Sequence, residues 1–426
     1  MDQMQDRPPL TSGPPQKWDY QSLTAFRGIA ALLVVFYHFS GGFTPGFDPG
    51  KFTDFVEESY LWVDFFFLLS GFVLAHVYRE RFAPGIGGRA YRGFLVARLA
   101  RIYPLHVTLL AAFVVFEAFR AMVVDGGLVH AQMAPFAGAR SLPSLLVSLS
   151  LLQSTGIENV LGWNWPSWSI ASEWFAYLLF PLLVLAGSKM GTRAGILAAL
   201  TCVLGLWLLS KDGGAHLDRT ADFGVLRCLC EFSLGMLIEA ALHRMRRAGG
   251  AGGAGWLDRG WVAAALLVAI VVGMHEGWDA IAFPPLMAAF LLCLALNDRR
   301  AGRFARALSC RPLLWLGAIS YAIYLCHALV LVSADLVSKL LVGHKAGVGL
   351  GPGASLVAIA LAYAVILPLA HLLHRFVERP AQSAMKGSRL ARRFVSGAGA
   401  RGAAALAGPA PDRAPVRAQA RFDGGR

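Results

Sequence analysis

The feature that most narrows what this chain can become is an apolar run of about twenty residues that returns along its whole length. Such runs lie at 23–43, 60–79, 97–119, 166–187, 193–210, 223–242, 260–275, 280–296, 313–333 and 354–376. A hydrocarbon layer about 30 Å thick takes about 20 helical residues to cross. Inside it every backbone N–H and C=O must be bonded within the spanning element, which favours helices. The runs therefore predict an all-α, polytopic transmembrane bundle of about ten helices, not the two or three soluble domains that 426 residues would otherwise suggest. Composition agrees: 56% of the residues are hydrophobic and 15% are charged, against about 25% charged in soluble domains. One further stretch, 142–153, is too short to cross and is expected to lie at the interface or to re-enter.

The net charge of +13 would suit a nucleic-acid partner if the basic residues formed one face. They fall instead in alternate loops: Arg79, Arg81, Arg89 and Arg92; then Arg244, Arg246, Arg247 and Arg259; then Arg299, Arg300, Arg303, Arg306 and Arg311. The intervening loops hold Asp48, Asp54, Glu57 and Glu58, and later Glu276 and Asp279. That alternation is the mark of cytoplasmic loops, so both termini are expected in the cytoplasm and nucleic acid is excluded. Residues 1–20 are expected to be a polar cytoplasmic segment, 21–380 the membrane domain, and 381–426 a basic, disordered cytoplasmic tail. The Ala/Gly linker at 248–255 is expected to be flexible. No small-residue cleavage site follows the first apolar run, so that helix is expected to remain in the mature protein. The six cysteines have neither disulfide-framework nor metal-ligand spacing, and no metal site is expected.

Ionisable residues within the runs carry the chemistry, because charge at membrane depth is costly and by default marks function. Arg27 and His38 are eleven residues apart on the first helix, three turns plus about 20°, so they share a face with an axial separation of roughly 16 Å. The arginine can snorkel to the headgroups; the histidine cannot easily do so. Arg98 and Arg101, three apart, either grip phosphate or simply anchor the cytoplasmic end of their helix. Glu173 falls roughly two turns into its helix, at a depth comparable with His38, where it would orient the imidazole or relay its proton in acid–base work. The plainer reading of Glu173 is a carboxylate bonded to nearby Ser or Trp groups. Asp64 and His327 are read as lining a cavity or as hydrogen-bonding groups, not as doing direct chemistry, Arg227 and Glu231 as a structural ion pair four residues apart, and Glu378 as pairing with Arg375 or Arg379.

The order of these motifs resembles the membrane acyltransferase-3 family. Arg27 with ten residues before His38, FFFLLSGF at 65–72, Arg98-x-x-Arg101, WSIASE at 168–173, SYAIYLCH at 320–327 and ERP at 378–380 occur in sequence between about Leu23 and Pro380. After Glu173 the chain reads Trp-Phe-Ala-Tyr177, where many members look like two residues followed by Phe-Tyr. The resemblance implies an enzyme of the plasma (inner) membrane that moves an acyl group, most simply acetyl, from cytoplasmic acyl-CoA to a hydroxyl of a glycan or lipid-linked sugar. No hydrolase-like domain of the kind fused to some members is recognised, so the acceptor is expected to be handled by the membrane domain or a partner protein. His38 and Glu173 would be catalytic; Arg27, Arg98 and Arg101 would hold acyl-CoA; Asp64, Ser70, Trp168, Ser169, Tyr321 and His327 would meet substrate. Acyl-CoA is then a co-substrate, with no permanently bound cofactor and with the lipid bilayer as surroundings. The rival reading is a multi-helix transporter of a small solute or glycan precursor, but the inverted repeats and Gly/Pro-broken helix pairs that point to transporter sites are not evident.

Overall fold

The computed structural model describes residues 20–387 apart from 41–42, 45, 131–132, 212–215 and 248–254. The N-terminal segment before residue 20, most of the 248–255 linker and the tail beyond 387 lie outside the described residues. Among the described residues the regular structure is entirely helical. The chain runs α1 (Gln21–Ser40), α2 (Trp62–Phe82), α3 (Gly88–Asp125), α4 (Leu142–Leu149), α5 (Trp168–Lys189), α6 (Thr192–Lys211) and α7 (Gly224–Arg247). It continues through α8 (Gly260–His275), α9 (Phe283–Arg299), α10 (Arg303–Leu308), α11 (Arg311–Val342), α12 (Pro352–Leu373) and α13 (Arg379–Gly387).

Among the described residues, eight helices are long and apolar enough to cross a membrane: α1, α2, α3, α5, α6, α9, α11 and α12. The two remaining apolar runs also form helices but fall short of that measure. In α7 the obstacle is charge, since Arg227, Glu231 and Glu239 lie within it. In α8 it is length, 16 residues, or about 24 Å of rise. The short stretch after residue 142 forms the brief helix α4, whose N-cap Ser141 accepts from the Ser144 N–H.

Two glycine crossings bring the central helices into backbone contact. α1 lies along α11 and α2 along α7. A Cβ added at Gly317 would sit 1.9 Å from the Thr24 carbonyl oxygen, and one at Gly28 would sit 2.6 Å from the Gly317 nitrogen. At the second crossing a Cβ on Gly71 would meet the Phe232 carbonyl oxygen at 1.9 Å, and one on Gly235 the Leu68 carbonyl oxygen at 1.9 Å. Lipid tails are as apolar as leucine, so helices in a bilayer associate through close packing, and small residues permit it. The consequence for function is local: the α1–α11 crossing lies beside Arg27.

α12 runs on into α13 without a break. Its last turn widens into a π-turn at His374–Glu378 before α13 begins, and the Glu378 side chain is buried. Single π-turns inside helices are uncommon and recur at functional positions. Behind α2 lies a sealed ion cluster in which the fully buried Arg227 guanidinium is 2.6 Å from Asp64 Oδ1 and 3.7 Å from Glu231 Oε1. The rings of Tyr60 and Trp168 cap that guanidinium at 5.7 and 5.5 Å.

Candidate active site

Near the C-terminal end of α1, His38 lines a cavity of about 160 Å³ with Tyr37, Tyr60, Trp165, Trp168 and Tyr324. Its Nδ1 lies 2.9 Å from the Val34 carbonyl oxygen one turn earlier. A carbonyl only accepts, so Nδ1 carries the proton, and in the neutral form of the ring it is Nε2 that keeps the lone pair. That is the tautomer a general base requires. The ring is backed by His327 of α11, with centroids 4.9 Å apart and planes at 41°. His327 is fully buried. Neither of its nitrogens completes a hydrogen bond within the described residues, although the backbone of Ile323 and Tyr324 lies close by.

The cavity wall is a folded segment stitched to its neighbours. Trp165 opens a tight turn with Pro166 that runs straight into α5. The Tyr324 hydroxyl donates to the Pro166 carbonyl at 2.9 Å, and the Ser169 hydroxyl lies 3.0 Å from the Tyr324 hydroxyl. Gln153 Nε2 donates to both the carbonyl and the hydroxyl of Ser167 at 3.0 Å, and Asn164 Nδ2 donates to the Leu325 carbonyl at 3.1 Å. These bonds hold the Trp165 and Trp168 rings at the cavity.

Toward the other end of α1 a second network gathers. Arg27 Nη2 donates to the Gly317 carbonyl at 2.6 Å and Nε to the Ser320 hydroxyl at 2.9 Å, reaching across the glycine crossing. Arg101, Glu378 and Glu173 lie within electrostatic range of that guanidinium. The Ser70 hydroxyl donates to Glu173 Oε1, with Tyr177 alongside. Arg101 reaches Glu378 at 3.3 Å and sits 5.7 Å over the Tyr321 ring, whose hydroxyl donates to the Ile102 carbonyl at 2.6 Å. Arg98 lies 5.5 Å over the Tyr78 ring and donates to its hydroxyl at 3.4 Å. Three guanidiniums facing two carboxylates, with tyrosyl and seryl hydroxyls between them, suit an anion.

Comparison with known proteins now bears on this geometry. The family model described as an acyltransferase domain, of the acyltransferase-3 type, matches residues 20–374. The chain belongs to this family. "Acyltransferase MdmB" of Streptomyces mycarofaciens is 30% identical over 389 residues, 86% of this chain and 92% of that protein. "Protein 2 in picA locus" of Rhizobium radiobacter is 33% identical over 167 residues, 38% of this chain and 81% of that protein. "Putative peptidoglycan O-acetyltransferase YrhL" of Bacillus subtilis (strain 168) is 24% identical over 389 residues, 84% of this chain but 54% of that protein. No solved structure gives a significant match. The protein is thus a multi-pass membrane acyltransferase.

Measured against the expectations from sequence, this acyltransferase regroups several residues. Glu173 does not orient His38: its bond is to Ser70, and the imidazole is held by the Val34 carbonyl and backed by His327. Of the two roles expected for Asp64, the structure shows the hydrogen-bonding one: its fully buried carboxylate accepts from Arg227 and does not line the cavity, which turns the expected Arg227–Glu231 pair into a triad. Glu378 pairs with Arg101 and with His374, each at 3.3 Å, not with Arg375 or Arg379. The π-turn accounts for this by swinging the carboxylate toward α3. Of the residues assigned to substrate, Trp168 lines the His38 cavity, whereas Ser70 and Tyr321 belong to the arginine network and Ser169 supports the wall. His327 lies behind His38, shielded from the cavity. Tyr37, Tyr60, Trp165, Tyr324 and Asp218 also line the cavity and escaped the sequence reading. Tyr37 and Tyr324 each stand beside or within a recognised motif, but Asp218 sits in a short polar loop with no pattern to flag it.

Proposed function

We propose that this acyltransferase O-acylates a glycan hydroxyl, moving an acyl group, most simply acetyl, from cytoplasmic acyl-CoA to a surface polysaccharide or lipid-linked sugar. The reading places it in the plasma (inner) membrane with ten crossings, α7 and α8 included. Both termini and the 1–20 and 381–426 segments are then cytoplasmic, around a membrane domain spanning 21–380. The alternation of basic and acidic loops supports that orientation. The names of two relatives, an acyltransferase and a putative peptidoglycan O-acetyltransferase, support the reaction and the acceptor class.

The observation that carries the proposal is the division of α1 between two chemistries: a base-competent imidazole in a cavity at one end, and a cluster of guanidiniums at the other. The roughly 16 Å between them is of the order of an extended pantetheine arm. Arg27, Arg98 and Arg101 hold the phosphates of the donor, and the thioester reaches toward His38. His38 Nε2 takes the proton of the acceptor hydroxyl as its oxygen attacks the thioester carbon. The carbon–sulfur bond then breaks, the ester departs, and the imidazolium returns its proton to the CoA thiolate. Glu173, fixed by Ser70, acts in the donor network by positioning the charges around Arg27. Alanine at His38 is expected to abolish acetyl transfer in membranes while protein abundance is unchanged. Mass spectrometry of cell glycans, reading the acetyl increment with and without the protein, is the test; transfer that survives His38→Ala refutes the assignment.

A further inference from the structure

The His38 cavity does not end at His38. It shares Tyr37, Tyr60 and Asp218 with a larger cleft of about 570 Å³, which Glu57, Glu58 and His216 complete. Ligand clefts in proteins run from about 300 to 1,000 Å³. The cleft is therefore large enough for a one- or two-sugar unit. The His38 ring is itself an indicator of a ligand: with Nδ1 donating to Val34, Nε2 has no partner among the described residues, and the ring lines the smaller cavity that shares a wall with the cleft. Glu58 Oε2 and the Tyr60 hydroxyl are likewise without partners.

Carboxylates predominate in the cleft, where Glu57, Glu58 and Asp218 face the Arg219 guanidinium and the His216 imidazole. No ion pair among the described residues engages Glu57, Glu58 or Asp218. The one guanidinium on the wall, Arg219, is already committed to Asp222 at 2.8 Å and to the Leu209 carbonyl at 3.0 Å. Asp54 and Asp279 lie within electrostatic range of Glu58, and Lys211 near the rim pairs with Asp279 at 3.7 Å. A cleft lined mainly by one sign of charge concentrates ligands of the other. The rings of Tyr37 and Tyr60 flank the same space, and an ammonium group against such rings gains further attraction.

Resting on the acyl-transfer reading above, we infer that this cleft is the acceptor subsite and that it selects a cationic acceptor, a sugar bearing a free, protonated amine near the acylated hydroxyl. Neutral N-acylated and anionic uronic sugars are the disfavoured classes. Glu57, Glu58 and Asp218 hold the ammonium, the tyrosine rings cover the sugar face, and the hydroxyl meets His38 Nε2.

The test uses the full-length protein in nanodiscs with acetyl-CoA and three matched probes: methyl glucosaminide, methyl N-acetylglucosaminide and methyl glucuronide. Binding is followed by quenching of tryptophan fluorescence, which Trp165 and Trp168 beside the cavity report. Transfer is followed by mass spectrometry, with hydroxylamine lability separating O-acetyl from N-acetyl products. The expected result is a preference of about tenfold or more for the glucosaminide in both readouts, shrinking as salt rises. Glu58→Gln with Asp218→Asn should erase it several-fold while protein abundance holds. Equal binding of the three probes, binding of none, or a preference unmoved by the double substitution overturns the subsite. Selective binding of the glucosaminide without transfer to any acceptor leaves the subsite standing and overturns the acyl-transfer reading instead.

Discussion

Gly317→Ala isolates how the helix crossing sets the arginine network around Arg27. A methyl group at this position would lie 1.9 Å from the Thr24 carbonyl oxygen, whereas ordinary contact begins near 3.4 Å. Because the clash is with backbone, no side-chain rotation relieves it, and α1 and α11 must part by about 1.5 Å. Arg27 Nη2 is 2.6 Å from the Gly317 carbonyl. Separation on that scale carries the pair beyond bonding distance. Overpacking costs about 1–3 kcal/mol and loss of a hydrogen bond to a charged group about 1.5–3 kcal/mol, so a combined loss of about 2.5–6 kcal/mol is expected. The assay is thermal unfolding of detergent-solubilised protein alongside acetyl transfer in membranes. Gly353→Ala, where an added Cβ meets nothing within 4 Å, is the control. The expected outcome is a lowered midpoint and a raised KM for acyl-CoA in Gly317→Ala, with the control unchanged. An unfolding midpoint and donor KM equal to the parent's would refute the claim that backbone contact at this crossing sets the arginine.

Other perturbations act elsewhere. Arg227→Met leaves the buried Asp64 and Glu231 without their cation and should cost about 3–5 kcal/mol. Combining it with Asp64→Asn and Glu231→Gln should recover most of that loss in the same unfolding assay, and a triple variant no more stable than the single one would count against the triad. Glu378→Gln removes the ion partner of Arg101, so the KM for acyl-CoA should rise about tenfold, or about 1.4 kcal/mol, with kcat nearly unchanged. Steady-state kinetics decides this, and an unaltered KM would sever Glu378 from donor binding.

Much of the architecture was legible because hydropathy and length are one-dimensional properties: each apolar run from 23–43 to 354–376 overlaps a helix. The Arg27-to-His38 interval was readable for the same reason, since a single helix converts spacing into geometry. Partners on different helices were not readable. Glu173 and His38 were matched by depth alone, but depth along a helix says nothing about which way a side chain points around it, and Ser70 claims the carboxylate. Asp64 meets Arg227 across 163 positions of sequence. Glu378 was expected to find a local arginine, yet a π-turn alters the angular step on which local pairing rules depend. The glycine crossings were invisible for a related reason: a glycine in an apolar run signals close approach only once its opposite number is known.

The placement of Arg27 and His38 on one unbroken rod makes α1 a gauge that cannot be adjusted at one end only. Sliding it lengthwise displaces guanidinium and imidazole together. Inserting or deleting one residue between them would swing one by about 100° relative to the other. Loops and tails are free to drift in length as acceptors change, but the interval from 27 to 38 is not. A change in length that spares both chemistries must therefore fall outside this interval, where no fixed angular step ties two side chains together.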